Sequence, residues 1–387
     1  MNFTGLDAFW AGLFAAVVTY AQTPLTARLA VRLGAVDEPR GRGLSERPTP
    51  LLGGLAIFAG AGSAIALWLL GGHKEWSAIL WGAAVITAVG ALDDIYDLPA
   101  PVKLAGQIVA VLPPVLTGVR VDHFTLPFVH RVDLGGSGEL LTIIGLVAVI
   151  NVVNLSDGID GLAAGVCAIS AIALSIIAFD LDKGSAGVLA AITAGAAIGF
   201  LGHNFHPASI FMGDCGSNLL GYLLGVVAVQ GSLKTNALVA VVIPLIVLAV
   251  PFLDTTFVVL KRMKYGRPVY VADTNHFHHR FSRIGFSQRR TVLYLYAWTA
   301  SLAGLAVAIR FVPYSDNHGH LKTPGTIVII ALFLLVLLAS VYLVYVLEIL
   351  KFRRFVRTAE PQRTDAEVDA EVQRSLETGE FEALSDR

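Results

Sequence analysis

The chain has 387 residues, of which 55% are hydrophobic and only 15% charged, a balance outside that of ordinary soluble domains, so a lipid bilayer is the first environment to consider. Lys and Arg number 28 against 29 Asp and Glu, a net charge of -1 that gives no footing for nucleic acid. Cys167 and Cys215 are the two cysteines; they are too few and too far apart for a disulfide framework or a paired-cysteine metal site, and read as small buried hydrophobes.

A helix rises about 1.5 Å per residue, so about 20 mostly apolar residues cross the hydrocarbon of a bilayer. Eleven segments approach that pattern: 8–28, 51–71, 76–92, 102–119, 138–154, 160–179, 185–202, 215–230, 236–258, 291–311 and 325–348. The first has no basic stretch before it and no small-residue cleavage site after it, and is predicted to be a retained span. Between the fourth and fifth, residues 120–137 alternate apolar and turn-forming types (Val121, Phe124, Leu126, Pro127, Val129, Val132) and predict a small hairpin. The predicted fold is an all-α polytopic membrane protein with about eleven transmembrane helices and this hairpin outside.

Positive charges give the orientation. Arg28, Arg32, Arg40, Arg42 and Arg47 follow the first span, Lys103 lies beside the third-span loop, and Lys261, Arg262, Lys264, Arg267, Arg280, Arg283, Arg289 and Arg290 fall in 259–290. Lys351, Arg353, Arg354 and Arg357 follow the last span, whereas the other face holds Lys74, Arg120, Arg131, Lys183, Lys234, Arg310 and Lys322. This bias predicts an outside N-terminus and a cytoplasmic C-terminus. Residues 351–387 then form a cytoplasmic tail, basic at first and acidic beyond Ala359, which reads as a solvated extension.

Four segments on the predicted cytoplasmic side carry more than turn residues. Leu92-Asp93-Asp94-Ile95-Tyr96-Asp97-Leu98 ends the third span, with Lys103 just inside the fourth; adjacent acids at a membrane border are costly unless they are solvated, bind a cation or exchange protons. In Asn151-Val152-Val153-Asn154-Leu155-Ser156-Asp157-Gly158-Ile159-Asp160-Gly161-Leu162, the side chains of Asn154, Asp157 and Asp160 recur at three-residue spacing. On a helical end they share a face, which suits a hard cation with oxygen ligands; a glycine-rich turn with capping residues is the plainer reading.

The third segment runs from Gly202 through His203, Asn204, Phe205, His206 and Pro207 to Phe211-Met212-Gly213-Asp214-Cys215-Gly216-Ser217. Asp214 between glycines suits an N-cap as well as a metal ligand, and Phe211 an interfacial anchor as well as a platform for a base. The fourth, Asp273-Thr274-Asn275-His276-Phe277-His278-His279-Arg280, lies in the basic loop. Its histidines lack the companions of a zinc finger, whereas imidazoles beside Arg280 suit a polyanionic phosphate. A transporter would place such residues near mid-span; these lie at span ends, as does Asp254.

Taken in order, the four segments resemble the polyprenyl-phosphate N-acetylhexosamine-1-phosphate transferases, over residues 37 to about 290. Pro48-Thr49-Pro50 with Gly53-Gly54 is similar to a further segment of that family, although Gly43 and Ser45 stand where members often carry Lys and His. The histidine segment, followed by Gly285-Phe286-Ser287-Gln288-Arg289-Arg290, looks like the N-acetylglucosamine-1-phosphate branch rather than the muramoyl-pentapeptide branch.

The resemblance implies a catalytic membrane domain at 1–350 in the plasma (inner) membrane, with its active site in cytoplasmic loops. It implies transfer of N-acetylglucosamine-1-phosphate from UDP-N-acetylglucosamine to an undecaprenyl or decaprenyl phosphate, releasing UMP and starting a cell-envelope polysaccharide. Mg2+, with Mn2+ as substitute, is the implied cofactor, on Asn154 and Asp214. Asp93, Asp94, Asp157 and Lys103 are the implied catalytic groups, Asp93 and Lys103 on the lipid phosphate. Asp160, Asn204 and Phe211 would embrace the uridine, and His276, His278, His279 and Arg280 the sugar and diphosphate. A homodimer is a further expectation. One-step and two-step transfer both stay open, as do a muramoyl-pentapeptide donor, a cation-coupled transporter and a scaffold subunit.

Overall fold

The computed structural model describes residues 3–37, 48–71, 73–126, 130–232, 246–250, 252–253, 256, 286–314 and 322–357, with side chains described up to Tyr342 and not over 124–132. Met1–Ser340 forms one compact unit; Val341–Arg387 is a second, described only as the continuation of a helix to Arg357.

In chain order the elements are α1 (Gly5–Leu33), β1 (Val36–Asp37), β2 (Thr49–Pro50), α2 (Gly53–Trp68), α3 (Lys74–Tyr96) and α4 (Ala100–Leu116). Then come β3 (His123–Leu126), β4 (His130–Asp133), α5 (Ser137–Ser156), α6 (Leu162–Asp180), α7 (Gly184–Asn204), α8 (Gly213–Ser232), α9 (Gln288–Phe311) and α10 (Thr323–Arg357). Helices thus occupy every predicted span except 236–258, most of which lies outside the described residues. Among the described residues six helices are long and apolar enough to cross a bilayer: α3, α5, α6, α7, α9 and the Thr323–Tyr342 part of α10. Helices α2 and α4, at 16 and 17 residues, are apolar but shorter, so the chain is a mostly helical, membrane-type protein, and six of the eleven predicted spans are matched by helices of full spanning length among the described residues. The predicted hairpin is present: β3 pairs antiparallel with β4, His123 opposite Asp133.

Local chemistry sets the helix ends. Thr4 and Asp7 close a capping box on α1, the Thr4 amide donating to Asp7 Oδ2 at 2.8 Å, and Gly34 ends the helix in the left-handed region at φ 75°. Pro99 precedes α4 and Pro101 lies in its first turn, where no helical N–H is needed.

Small residues let the helices approach. α7 runs along α1, and a Cβ on Gly195 would overlap the Gly12 carbonyl while one on Gly199 would overlap that of Ala16, the close backbone contact that drives helix association where lipid removes the hydrophobic term. α8 is wedged between α3 and α5: Tyr222 Oη donates to Ile79 O at 3.0 Å, and Gly221 lies on Ile150. The outward faces remain apolar, with Phe9, Trp10 and Val17 on α1 and Leu335 and Leu338 on α10 exposed, as a lipid surround requires.

The β1–β2 ladder (Val36 opposite Pro50) turns the chain so that the start of α2 meets the segment before α8. Phe211 N donates to Pro50 O at 2.9 Å, Gly53 N to Phe211 O at 3.1 Å and Gly54 N to Met212 O at 3.0 Å. The Pro-Thr-Pro and Gly-Gly positions are therefore a backbone clamp on the Phe211–Asp214 segment.

Candidate functional site

Four helix ends converge. α3 ends at Tyr96, α4 begins at Ala100, α5 ends at Ser156 and α8 begins at Gly213. Asp93, in the last turn of α3, is 5% exposed. Its Oδ1 accepts from Leu98 N at 2.8 Å, which holds the turn around Asp97, a left-handed residue at φ 51°, and its Oδ2 lies 2.6 Å from Lys103 Nζ. Lys103 is also 3.5 Å from Asp214 Oδ2, so one ammonium bridges the ends of α3 and α8.

Asp94 turns to the first turn of α8 and accepts from the amides of Asp214 at 2.7 Å and Cys215 at 3.1 Å. A carboxylate there satisfies donors that have no intrahelical partner and faces the positive end of the helix dipole. The geometry needs Gly213: its φ is 70°, and a Cβ on it would collide with the Asp94 carboxylate. Likewise a Cβ on Gly54 would strike Gly216, and one on Gly90 the backbone of Asp214 and Cys215. Three glycines and one cap thus seat Asp214 between α2 and α3.

From α5, Asn154 Nδ2 donates to Asp214 Oδ1 and to Ser217 Oγ, both at 2.9 Å. Asp157, half-buried just beyond the helix, faces a crowd of acids. Burial, then the charges of Asp214, Asp94 and Asp160, push its carboxyl up to about 8. Asp93, Asp94, Asp157 and Asp214 together outnumber the Lys103 ammonium, and carboxylate oxygens are hard donors.

The uridine candidates form a second group. Asp160 Oδ2 lies 2.8 Å from His206 Nδ1 and accepts from Ala208 N at 3.0 Å. Asn204 is 3% exposed, its Oδ1 accepting from Gly161 N at 3.0 Å and its Nδ2 donating to Ile210 O at 2.9 Å. Both ends of that amide hold backbone, so Asn204 braces the α5–α6 loop against the segment before α8. Phe211, half-buried, sits in the β2–α2 clamp. α9 closes the flank through Tyr296 Oη to Gly161 O (2.5 Å) and Arg289 Nε to His206 O (3.0 Å).

Asp93, Asp94, Lys103, Asn154, Asp157 and Asp214 are thus in one place, with Asp160, Asn204 and Phe211 alongside. His276, His278, His279 and Arg280 lie outside the described residues, as do Asp254, Arg40, Arg42 and Arg47. Ser217 and His206 were given no role from sequence; Ser217 was signalled by its place one turn after Asp214. Among the described residues, no three His, Cys, Asp or Glu side chains enclose an ion by themselves.

Residues 76–232, which contain this whole arrangement except the α2 clamp and α9, match the family described as Glycosyl transferase family 4. The chain is 38% identical over 275 residues to the probable undecaprenyl-phosphate N-acetylglucosaminyl 1-phosphate transferase of Bacillus subtilis, covering 71% of this chain and 77% of that one. It is 38% identical to the decaprenyl-phosphate N-acetylglucosaminephosphotransferase of Mycolicibacterium smegmatis, over 78% and 82% of the two chains. Similarity to the phospho-N-acetylmuramoyl-pentapeptide-transferase of Desulforudis audaxviator is weaker, 32% over 72% and 89%.

Proposed function

Since the chain belongs to glycosyl transferase family 4, among the polyprenyl-phosphate N-acetylhexosamine-1-phosphate transferases, we propose that it transfers N-acetylglucosamine-1-phosphate from UDP-N-acetylglucosamine to undecaprenyl or decaprenyl phosphate. The observation that carries this is the Lys103 ammonium set between Asp93 and Asp214, with Asn154 on the other oxygen of Asp214. An ammonium and hard oxygen donors gathered at the ends of membrane helices support a reading in which phosphates meet there. The likeness to the Bacillus and Mycolicibacterium enzymes, 38% against 32% for the Desulforudis muramoyl-pentapeptide enzyme, supports that donor over the muramoyl-pentapeptide.

In one-step transfer an oxygen of the lipid phosphate attacks the β-phosphorus of the donor. A new P–O bond forms, the bond from that phosphorus to the bridging oxygen breaks, and UMP leaves with its electron pair. Two polyanions must meet, and Lys103 offsets their repulsion while Asp93 fixes the ammonium. A phosphate monoester is already largely dianionic near neutral pH, its second pKa being about 6, so Asp93 positions the acceptor more than it deprotonates it.

The oxygen donors and the surplus of carboxylates fit Mg2+, which Asp214 and Asn154 would hold with water and substrate oxygens filling the remaining positions. When bound, it supplies charge neutralisation on the diphosphate. Asp94 keeps the start of α8 in place for this; by the resemblance, Asp160 and Phe211 would bind the nucleoside within a frame braced by Asn204, and His276, His278, His279 and Arg280 would bind the sugar and diphosphate.

The apolar runs support about eleven spans in the plasma (inner) membrane, and the positive-charge bias supports an outside N-terminus with the C-terminus and the site on the cytoplasmic face. The test is UMP release by the purified protein with a polyprenyl phosphate, with and without Mg2+. Turnover with UDP-N-acetylglucosamine that stops on chelation is expected. Turnover with the muramoyl-pentapeptide donor alone would transfer the protein to the other branch, and none with either would end the proposal.

A further inference from the structure

Helix α4, which carries Lys103, is an edge helix. Val102, Leu104, Ile108 and Val109 are exposed, and among the described elements the helix packs chiefly against α3 and α5. Its inner face holds a residue that an apolar span does not need. Gln107, one turn after Lys103, is 4% exposed and meets Asn151 of α5. Asn151 Nδ2 donates to Gln107 Oε1 at 2.7 Å and Gln107 Nε2 donates back to Asn151 Oδ1 at 3.3 Å, while the second hydrogen of Asn151 Nδ2 goes to Val147 O at 2.8 Å. Two amides facing each other in this way have one mutual register, unlike packed aliphatic side chains, which slide.

That register lies directly beneath the site. Lys103 and Gln107 are four apart on α4, and Asn151 and Asn154 three apart on α5, so each pair shares a helix face. Lys103 and Asn154 reach opposite oxygens of the same Asp214 carboxylate, at 3.5 Å and 2.9 Å. Asn154 is held by α8 through Ser217, and Lys103 on the α3 side by Asp93; the amide pair ties α4 to α5. Interhelical hydrogen bonds in membranes stabilise only modestly, so a polar pair in an apolar span is better explained by what it aligns.

We propose that Gln107 and Asn151 are positioning residues for the transfer: their reciprocal amide pair sets α4 against α5 so that the Lys103 ammonium meets the acceptor phosphate in line with the donor held at Asp214 and Asn154. The inference rests on the transferase reading above. Neither amide touches the reacting groups; both act through Lys103.

The test compares Gln107→Leu, Asn151→Leu, the double leucine variant and the exchanged pair Gln107→Asn with Asn151→Gln. UMP release with UDP-N-acetylglucosamine and polyprenyl phosphate is read against direct UDP-N-acetylglucosamine binding and thermal unfolding. Each single variant is expected to lose about tenfold in kcat with a raised KM for the lipid phosphate, donor binding staying within about twofold. The double variant is expected to be no worse than the poorer single, and the exchange to recover most of the loss. Losses that multiply in the double variant, an exchanged pair as poor as the singles, or loss of donor binding in step with unfolding temperature would each overturn the proposal. So would single variants indistinguishable from the parent. A parent protein that releases no UMP defeats the function itself, a separate result.

Discussion

The Asp94 carboxylate reaches across from α3 to the amide of Asp214, 2.7 Å away, and to that of Cys215, so the second acid of the Asp-Asp pair serves as the cap of α8. The two neighbouring acids have separate tasks. Asp93 faces Lys103 and Asp94 faces backbone. Asp94→Ala should therefore cost about 1 kcal/mol of stability, the usual scale of a lost cap, together with a large part of kcat because Asp214 loses its seat. Asp94→Asn keeps an accepting oxygen and should fall between. Thermal unfolding and UMP release measure the two effects, and an Asp94→Ala protein with full turnover would disprove the seating role.

Asp93 and Lys103 offer a sharper separation of stability from activity. Asp93 is nearly buried while Lys103 is about a third exposed. Lys103→Met strands a buried carboxylate and should destabilise by roughly 1–3 kcal/mol, less than a fully buried pair because solvent reaches the ammonium. Adding Asp93→Asn removes the stranded charge and should restore most of the unfolding temperature. Turnover should stay lost in the double variant, since the cation that meets the lipid phosphate is gone. Turnover restored together with stability would show that Lys103 only neutralises Asp93.

The glycines make the third case. A Cβ on Gly90 falls on the backbone of Asp214 and Cys215 rather than on a flexible side chain, so α3 and α8 must separate. Gly90→Ala should cost about 1–3 kcal/mol and should depress kcat more than donor affinity, because the shift moves Asp214 relative to Lys103. Gly145 of α5 has open space where a Cβ would go, and Gly145→Ala should leave turnover unchanged. Equal effects at the two positions would refute a specific role for the α3–α8 contact.

These cases show what the sequence discloses. The apolar helices, though not the number of spans, were legible because a bilayer demands long apolar runs, and the hairpin because Val121 to Val132 alternate with turn residues. The acids were legible because carboxylates at span ends are rare without a task. Pairings were not: nothing near Asp94 says that its partner is an amide 120 residues later, and nothing near Asn204 says that Gly161 and Ile210 will take both ends of it. The resemblance puts Asn204 beside the uridine, and the structure adds that its amide holds the backbone framing that region. Gln107 did leave a trace, a lone amide inside an apolar span, but its meaning needed Asn151 beside it.

Asp157 links the site to pH. Its carboxyl ordinarily ionises near 3.8, as in the unfolded chain, but in the folded protein burial and the nearby acids hold its proton to about 8. Between those values the folded state binds the extra proton, so the sign is fixed: stability from this group is present at low pH and is lost as the pH rises from about 4 to 8. A divalent cation at Asp214 would offset the charge that makes ionisation costly, and its binding would compete with the proton. Mg2+ should therefore raise the unfolding temperature more at a pH of about 8.5 than at about 6, and Asp157→Asn should level the two. An equal Mg2+ effect at both pH values in the parent protein would mean that Asp157 does not feel the cation, and the cluster would lose its coupling to the metal.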